Sequence, residues 1–223
     1  MIKVIYEDNH LLVVEKPVNI LSQEDDTNDN DMVNLLKKYV KDKYSKPGNV
    51  YIGLVHRLDR PVGGVMVFAK TSKSASRLSE QVRNKTFKKT YRAIIHGNMP
   101  KDKDILKDYL YKNKKTNMVS VVKKDNVEAK NAELSYEILG KKDGFSLVEI
   151  DLKTGRSHQI RVQFASRKHP LFGDQRYGQS VNKVGQQISL WSHKIEIEHP
   201  TTKEKMEFTC EPPSEHPWNL FRG

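Results

Sequence analysis

Val65-Met66-Val67-Phe68-Ala69 is an unbroken apolar run that directly follows His56-Arg57-Leu58-Asp59-Arg60-Pro61-Val62-Gly63-Gly64. Successive side chains of a strand point to opposite faces, so a strand that is apolar at every position is buried on both. The preceding Tyr51-Ile52-Gly53-Leu54-Val55 also reads as a strand. Asp59 therefore falls in a turn between two strands, among arginines, and is expected at the floor of a cleft. Burial alone favours the protonated carboxyl, but a cation held nearby favours the carboxylate. A neighbouring arginine would leave Asp59 anionic and nucleophilic at neutral pH. A turn aspartate that caps its own backbone is the commoner use of this residue type, and this segment alone leaves both readings open.

A second segment, Thr154-Gly155-Arg156-Ser157-His158-Gln159-Ile160-Arg161-Val162-Gln163-Phe164-Ala165, follows the strand-like Phe145–Leu152. It reads as a strand, a glycine turn and a helix with a polar, basic first turn. Backbone N–H groups at a helix start, with Arg156 and Ser157, form a natural phosphate site. Arg161 lies further along and, with Ile160 toward the core, its head is placed to reach a cleft carboxylate. An ordinary solvated basic helix fits the same charge pattern.

Lysine and arginine outnumber aspartate and glutamate by 39 to 28, a formal net charge of +11. That excess favours a polyanionic partner through counterion release. It does not by itself separate RNA from DNA or an anionic membrane. Lys112, Lys114, Lys115, Lys123 and Lys124 flank the strand-like Met118–Val122 and suggest a basic hairpin. Such a hairpin is either a solvated edge protected from aggregation by lysines or a nucleic-acid finger. The 223 residues suffice for one domain, with room for two lobes, burying roughly 70% of the unfolded surface. No apolar run is long enough for a membrane span, and the first residues lack a secretion-signal pattern, so a cytoplasmic location is expected. The single cysteine, Cys210, permits no internal disulfide and reads as a small core or edge residue. No cluster of His, Cys and carboxylates has zinc spacing.

Helical periodicity appears over residues 31–44, with Val33, Leu36 and Val40 on one face, and over residues 72–84, with Ala75, Leu78 and Val82 after a Thr71 or Ser72 cap. Lys194-Ile195-Glu196-Ile197-Glu198 alternates as a half-exposed strand does. Residues 25–31 and 45–49 are polar loops. These elements predict a single α+β domain over 1–223, with a mixed, largely antiparallel sheet and flanking helices and loops.

Taken together, these segments resemble the RluA-type family of RNA pseudouridine synthases, over Asp8 to about Pro213. The motifs are Asp8-Asn9-His10-Leu11-Leu12-Val13-Val14-Glu15-Lys16-Pro17, His56-Arg57-Leu58-Asp59, Lys88-Lys89-Thr90-Tyr91-Arg92-Ala93, Thr154 to Arg161, His169-Pro170-Leu171-Phe172-Gly173-Asp174 with Tyr177-Gly178, and His199-Pro200. Their order and spacing make the resemblance specific. It implies the pseudouridine synthase catalytic fold and a structured RNA, ribosomal or transfer, as partner. A monomer without membrane association is expected. Many relatives carry an S4-type RNA-binding module before the catalytic domain; the motif at Asp8 begins almost immediately here, so recognition is expected from the catalytic domain's own loops and basic surface.

The reaction that this family catalyses breaks the bond from ribose to N1 of uracil and makes a new one to C5. It requires a nucleophile or base, a surface for the detached uracil and exclusion of water, but neither metal nor organic cofactor. The resemblance makes Asp59 the catalytic aspartate, acting at ribose C1′, at uracil C6 or through a glycal. It makes Tyr91 a ring that stacks on the base, its hydroxyl available for proton movement. Arg161 matches the arginine that pairs with the aspartate, and Arg57 the one that supports the flipped nucleotide. Leu190 packs against the base, Arg156 and Ile160 belong to the substrate-binding segment, and Lys114 and Lys115 to the RNA-binding hairpin. The family's common His-Ala after the leucine is Trp191-Ser192 here, and its common Thr-Ser after the aspartate is Val62-Gly63. His56 and His158 read as structural or phosphate contacts. A noncatalytic RNA-binding or RNA-folding protein on the same scaffold is the alternative, and a metal-dependent nuclease a weaker one.

Overall fold

The computed structural model describes residues 2–27 and 29–222. Met1, Gly223 and Asn28, the last within the polar loop expected at 25–31, lie outside the described residues. In chain order the elements are β1 (Lys3–Glu7), β2 (Leu11–Lys16), α1 (Met32–Lys43), β3 (Gly53–Leu54), β4 (Gly63–Ala69), α2 (Ser72–Arg83), β5 (Lys88–His96), β6 (Lys103–Lys112), β7 (Val119–Val122), β8 (Lys130–Lys142), β9 (Phe145–Leu152), α3 (Gln159–Ala165), β10 (Leu190–Glu198), β11 (Lys205–Thr209) and a 3₁₀ turn (Trp218–Phe221). The architecture is α+β with predominantly antiparallel strands. The chain divides into two compact units, one of residues up to Lys88 with Ser192–Glu211, the other of Lys89–Trp191 with the residues from Pro212 onward.

In the first unit all seven residues of β4 are buried, as its apolar run requires. β2 lies along it in antiparallel register from Leu11↔Ala69 to Lys16↔Gly64, adding the buried Leu11, Leu12, Val13 and Val14 to the core. Gly64 has φ +116°, and a Cβ there would lie 2.3 Å from the carbonyl oxygen of Ser192, so only glycine fits beside β10. The strand expected at Tyr51–Val55 contracts to the two residues of β3. Beyond it, side chains take over backbone partners that a strand would supply: the N–H of Val67 donates to Nε2 of His56. α1 and α2 begin at the caps Asp31 and Thr71, whose side chains accept the N–H groups of Asn34 and Ser74. α1 buries Met32, Leu36 and Val40, with Val33 only half-buried; α2 buries Leu78, with Ala75 and Val82 half-buried. β10 pairs with β11 and shows the expected alternation over Lys194–Glu198, but it starts earlier, at the buried Leu190. Cys210 is buried, with Sγ 3.2 Å from Oε2 of Glu15.

The second unit orders its strands β5-β9-β8-β6-β7, each neighbouring pair antiparallel. β6 and β7 form the anticipated hairpin, in register from Tyr109↔Val122 to Lys112↔Val119. Its tip is closed by Asn113, whose N–H donates to the carbonyl of Met118 and whose Oδ1 accepts the N–H groups of Lys115 and Thr116. Leu110, Val119, Ala132 and Val162 form one buried cluster, so the β6–β7 hairpin, β8 and α3 share a core.

α3 corrects the reading of its segment. The helix starts at Gln159, so Arg156 and Ser157 precede it rather than forming its first turn. His158 sits in the left-handed region at φ 52°, and Oε1 of Gln159 accepts both the N–H of Arg156 and the hydroxyl of Thr154. The approach is a loop folded onto a glutamine side chain, not a row of open helical N–H groups.

Four donors converge on Glu7, which is nearly inaccessible at the end of β1: Lys43 at 2.7 Å, Lys70 at 2.8 Å, and the hydroxyls of Tyr39 at 2.9 Å and Tyr44 at 3.0 Å. Burial opposes the charged carboxylate, but these hydrogen bonds prevail and hold its pKa down to about 2, against 4.5 for an ordinary glutamate. A depressed carboxylate contributes stability that is complete above the unfolded value and is lost as pH falls through the folded one. The stability difference between wild type and Glu7→Gln, measured by urea unfolding, is therefore expected to be largest above pH 4.5 and to shrink progressively as the pH approaches 2.

Candidate functional site

The segment around Asp59 is irregular, but its burial alternates. His56 and Leu58 are buried, Arg57 and Arg60 are exposed, and Asp59 is half-buried. The inward residues anchor it. The hydroxyl of Ser22 donates to the carbonyl of Leu58 at 2.7 Å and accepts its N–H at 3.1 Å, while the His56 ring lies 5.1 Å from that of Phe87. The carbonyl of Asp59 accepts the N–H of Val62 at 2.9 Å and closes the turn, and Arg60 pairs with Asp29 at 2.7 Å. Asp59 thus presents its carboxylate from a backbone fixed immediately before and after it, and Arg57 faces outward.

Sequence reasoning did not single out Lys16, which does most to hold this turn. The side chain is wholly buried at the end of β2, and its Nζ donates to the carbonyls of Pro17 at 3.0 Å, Arg60 at 3.0 Å and Val62 at 2.7 Å. Three carbonyls match the three N–H bonds of an ammonium. Burial pushes its pKa down to about 7 against the pull of the Asp59 carboxylate, and Arg60 adds to the depression. The available signal was a lysine at the end of a strand that opens with four apolar residues, directly before a proline.

Tyr91, Arg156, Ile160, Arg161, Leu190, Lys114 and Lys115 belong to the second unit, and Arg57 and Asp59 to the first. Tyr91 is buried on β5 opposite Ile150, and Leu190 is buried at the start of β10. Ile160 and Arg161 are both buried on α3. Arg161 makes a two-pronged pair with Asp174: Nε to Oδ2 at 2.8 Å and Nη2 to Oδ1 at 2.7 Å. Burial opposes ionisation of Asp174, yet the Arg161 guanidinium and the N–H groups of Arg176 and Tyr177 hold its carboxyl below the usual range. This fixed partner, supplied by the Gly173-Asp174 motif, was not anticipated. Arg156 is exposed and donates through Nε to the carbonyl of Asn131. Lys114 is highly exposed on the hairpin tip, 3.8 Å from Glu128, and Lys115 is also exposed. Other motif residues are structural: Asp8 accepts the N–H groups of His10 and Leu11 and the Tyr6 hydroxyl, and lies 2.9 Å from Nε2 of His199. Among the described residues no group of three His, Cys, Asp or Glu side chains is arranged to hold a metal ion, and no helix is long and apolar enough to cross a membrane.

A family model described as RNA pseudouridylate synthase matches residues 10–166, a span that takes in the Asp59 turn, Tyr91 and Arg161. The chain belongs to this family. It is 36% identical over 215 residues to the ribosomal large subunit pseudouridine synthase C of Buchnera aphidicola subsp. Acyrthosiphon pisum, covering 92% of this chain and 65% of that protein. It is 31% identical over 204 residues to the uncharacterized RNA pseudouridine synthase YhcT of Bacillus subtilis, covering 90% of this chain and 65% of that protein. The chain thus spans about two-thirds, 65%, of the length of these curated relatives. The solved structure titled human RNA pseudouridylate synthase domain containing 4 shares the fold, with a TM-score of 0.80 at 20% identity, over 95% of this chain and 88% of that one.

Against the family pattern, the two departures have local explanations. Val62, where a hydroxyl residue is common, gives its N–H to Asp59 and its carbonyl to Lys16, so the turn is held without that hydroxyl. Ser192 is buried and donates to the carbonyl of Val65, which ties β10 to β4. In this pseudouridine synthase homologue, Lys16→Met should strand three carbonyls behind an apolar plug. A loss of roughly 3–5 kcal/mol of unfolding free energy is expected, measurable by urea denaturation below pH 7, where Lys16 is mainly the ammonium.

Proposed function

We propose that the protein isomerises uridine to pseudouridine in RNA, with ribosomal RNA the first substrate to test and transfer RNA the second. In this reaction the bond from C1′ to N1 breaks, a bond from C1′ to C5 forms, C5 gives up a proton and N1 regains one. No oxidant or hydrolytic water is consumed. Asp59 is the residue to which we assign attack or base chemistry, Tyr91 the stacking ring, Arg161 the cation of the catalytic set, and Arg57 the contact to a nucleotide turned out of its stack. The observation that carries the reading is the family match across 10–166. The half-buried Asp59 between two clamped backbone segments supports it, since a nucleophile acts best when its approach is fixed beforehand. The name of the Buchnera relative motivates the choice of large-subunit ribosomal RNA. The net charge of +11 and the exposed Lys114 and Lys115 suit a phosphate-rich partner.

The pairing of Arg161 with Asp174 changes how the arginine is to be tested. Truncating Arg161 leaves a buried carboxylate without that cation, at a cost of about 3–5 kcal/mol, so lost turnover and lost folding would be confounded. Asp59→Asn avoids this difficulty. It is expected to abolish pseudouridine formation, with thermal stability and RNA affinity largely retained; turnover near wild type on an RNA that the wild-type protein modifies would refute the assignment. Replacing Lys114 and Lys115 by alanine should weaken RNA binding and lower the slope of log affinity against log salt by about 1 for each phosphate no longer neutralised. The single-turnover rate at saturating RNA should fall by less than about threefold. Binding and single-turnover measurements at two salt concentrations separate these effects.

A further inference from the structure

Tyr177 joins two features to which the proposed function gives separate tasks. Its hydroxyl accepts the N–H of Val119, the first residue of β7, at 3.0 Å, and lies 2.7 Å from Nδ1 of His158. Its ring lies against the guanidinium of Arg161, 5.3 Å from centroid to Cζ, in cation–π contact. The same ring packs against the buried cluster of Leu110, Val119, Ala132 and Val162. The preceding residue, Arg176, lies beside the hairpin loop, and its Nη1 donates to the carbonyl of Asn117 at 3.1 Å. The backbone N–H groups of Arg176 and Tyr177 both donate to Asp174, the carboxylate that grips Arg161. One short segment therefore holds the hairpin at Asn117 and Val119 and the arginine through both its edge and its plane.

We propose that Tyr177 is a positioning residue with two separable parts: the hydroxyl sets the attitude of the basic β6–β7 hairpin toward RNA, and the ring sets the attitude of Arg161. This rests on the pseudouridine synthase reading for the role of Arg161, but not for the tie to the hairpin. Hairpin lysines engage a rigid polyanion productively only when the loop end that carries them is fixed, and Asn117 and Val119 lie at that end. A guanidinium gripped by a carboxylate along one edge can still tilt about that edge unless something supports its plane. The Tyr177 ring lies against that plane and restrains the tilt, and burial shifts its phenol pKa upward.

The test uses the full chain as wild type, Tyr177→Phe and Tyr177→Leu, with Asp59→Asn as the inactive control. Unmodified transcripts of bacterial large-subunit ribosomal RNA serve as the probe. Phenylalanine keeps the ring and removes the hydroxyl. We expect it to raise the dissociation constant about three- to tenfold and to lower the saturated single-turnover rate less than threefold. Leucine removes both parts, and we expect the same weakening of binding plus a fall in the saturated rate of about tenfold or more. Hydrogen exchange of the β7 amides in the protein without RNA should be faster in both variants, a result that does not depend on activity. Thermal melts establish that each variant is folded at the assay temperature. The proposal is overturned if phenylalanine lowers the saturated rate as far as leucine does, if leucine leaves it at the wild-type value, or if β7 exchange is unaltered by loss of the hydroxyl. A wild-type protein that forms no pseudouridine in any RNA would overturn the functional reading instead, and altered β7 exchange would still bear out the hairpin tie.

Discussion

A buried ammonium organises the backbone on which the proposed chemistry depends. Lys16 reaches from the end of β2 to three carbonyls, two of them in the turn that follows Asp59. Without those acceptors a lysine could not remain fully buried; without the lysine the Arg60 and Val62 carbonyls would need other donors in a dry interior. Ser22 and His56 secure the preceding residues through Leu58 and Val67. The carboxylate is thus mounted on a short irregular segment with the rigidity usually found in a strand, yet the segment avoids a ladder that would cover it.

The second unit uses a similar device with the opposite charge. Asp174, wholly buried, gathers the guanidinium of Arg161 and two backbone N–H groups. Aromatic support from Tyr177 and the shared cluster with Val119 and Val162 tie this ion pair to the start of β7. α3 is only seven residues long, and its position is secured by side chains as much as by its own ladder: Gln163 and Arg167 both bond Asp108 on β6.

The parts of this architecture legible in the sequence are those written in periodicity or in turn chemistry. The apolar run of β4, the helical faces of Leu36, Val40 and Leu78, the alternation of Lys194–Glu198 and the lysine-flanked hairpin are of this kind. Asp59, Tyr91 and Arg161 could be singled out because a family motif surrounds each. What periodicity does not encode is the pairing of distant polar groups. Lys16 with Val62 and Arg161 with Asp174 are contacts of tertiary structure, and nothing local in either segment specifies the partner. The contraction of the strand before Asp59 and the late start of α3 have the same origin, because His56 and Gln159 bind backbone groups that propensity would have assigned to regular structure.

The closed tip of the hairpin has a consequence for the energetics of association. Asn113 binds the loop to itself through Lys115, Thr116 and Met118, so the backbone carrying the lysines is ordered before any partner arrives. Ordering a flexible loop on contact would cost roughly 1–2 kcal/mol for each residue fixed. Here that cost falls within folding, and the encounter has only to restrict the long lysine side chains. A preorganised array of exposed charges also presents a steady electric field. It therefore guides a polyanion from a distance and then lets it go readily as salt rises.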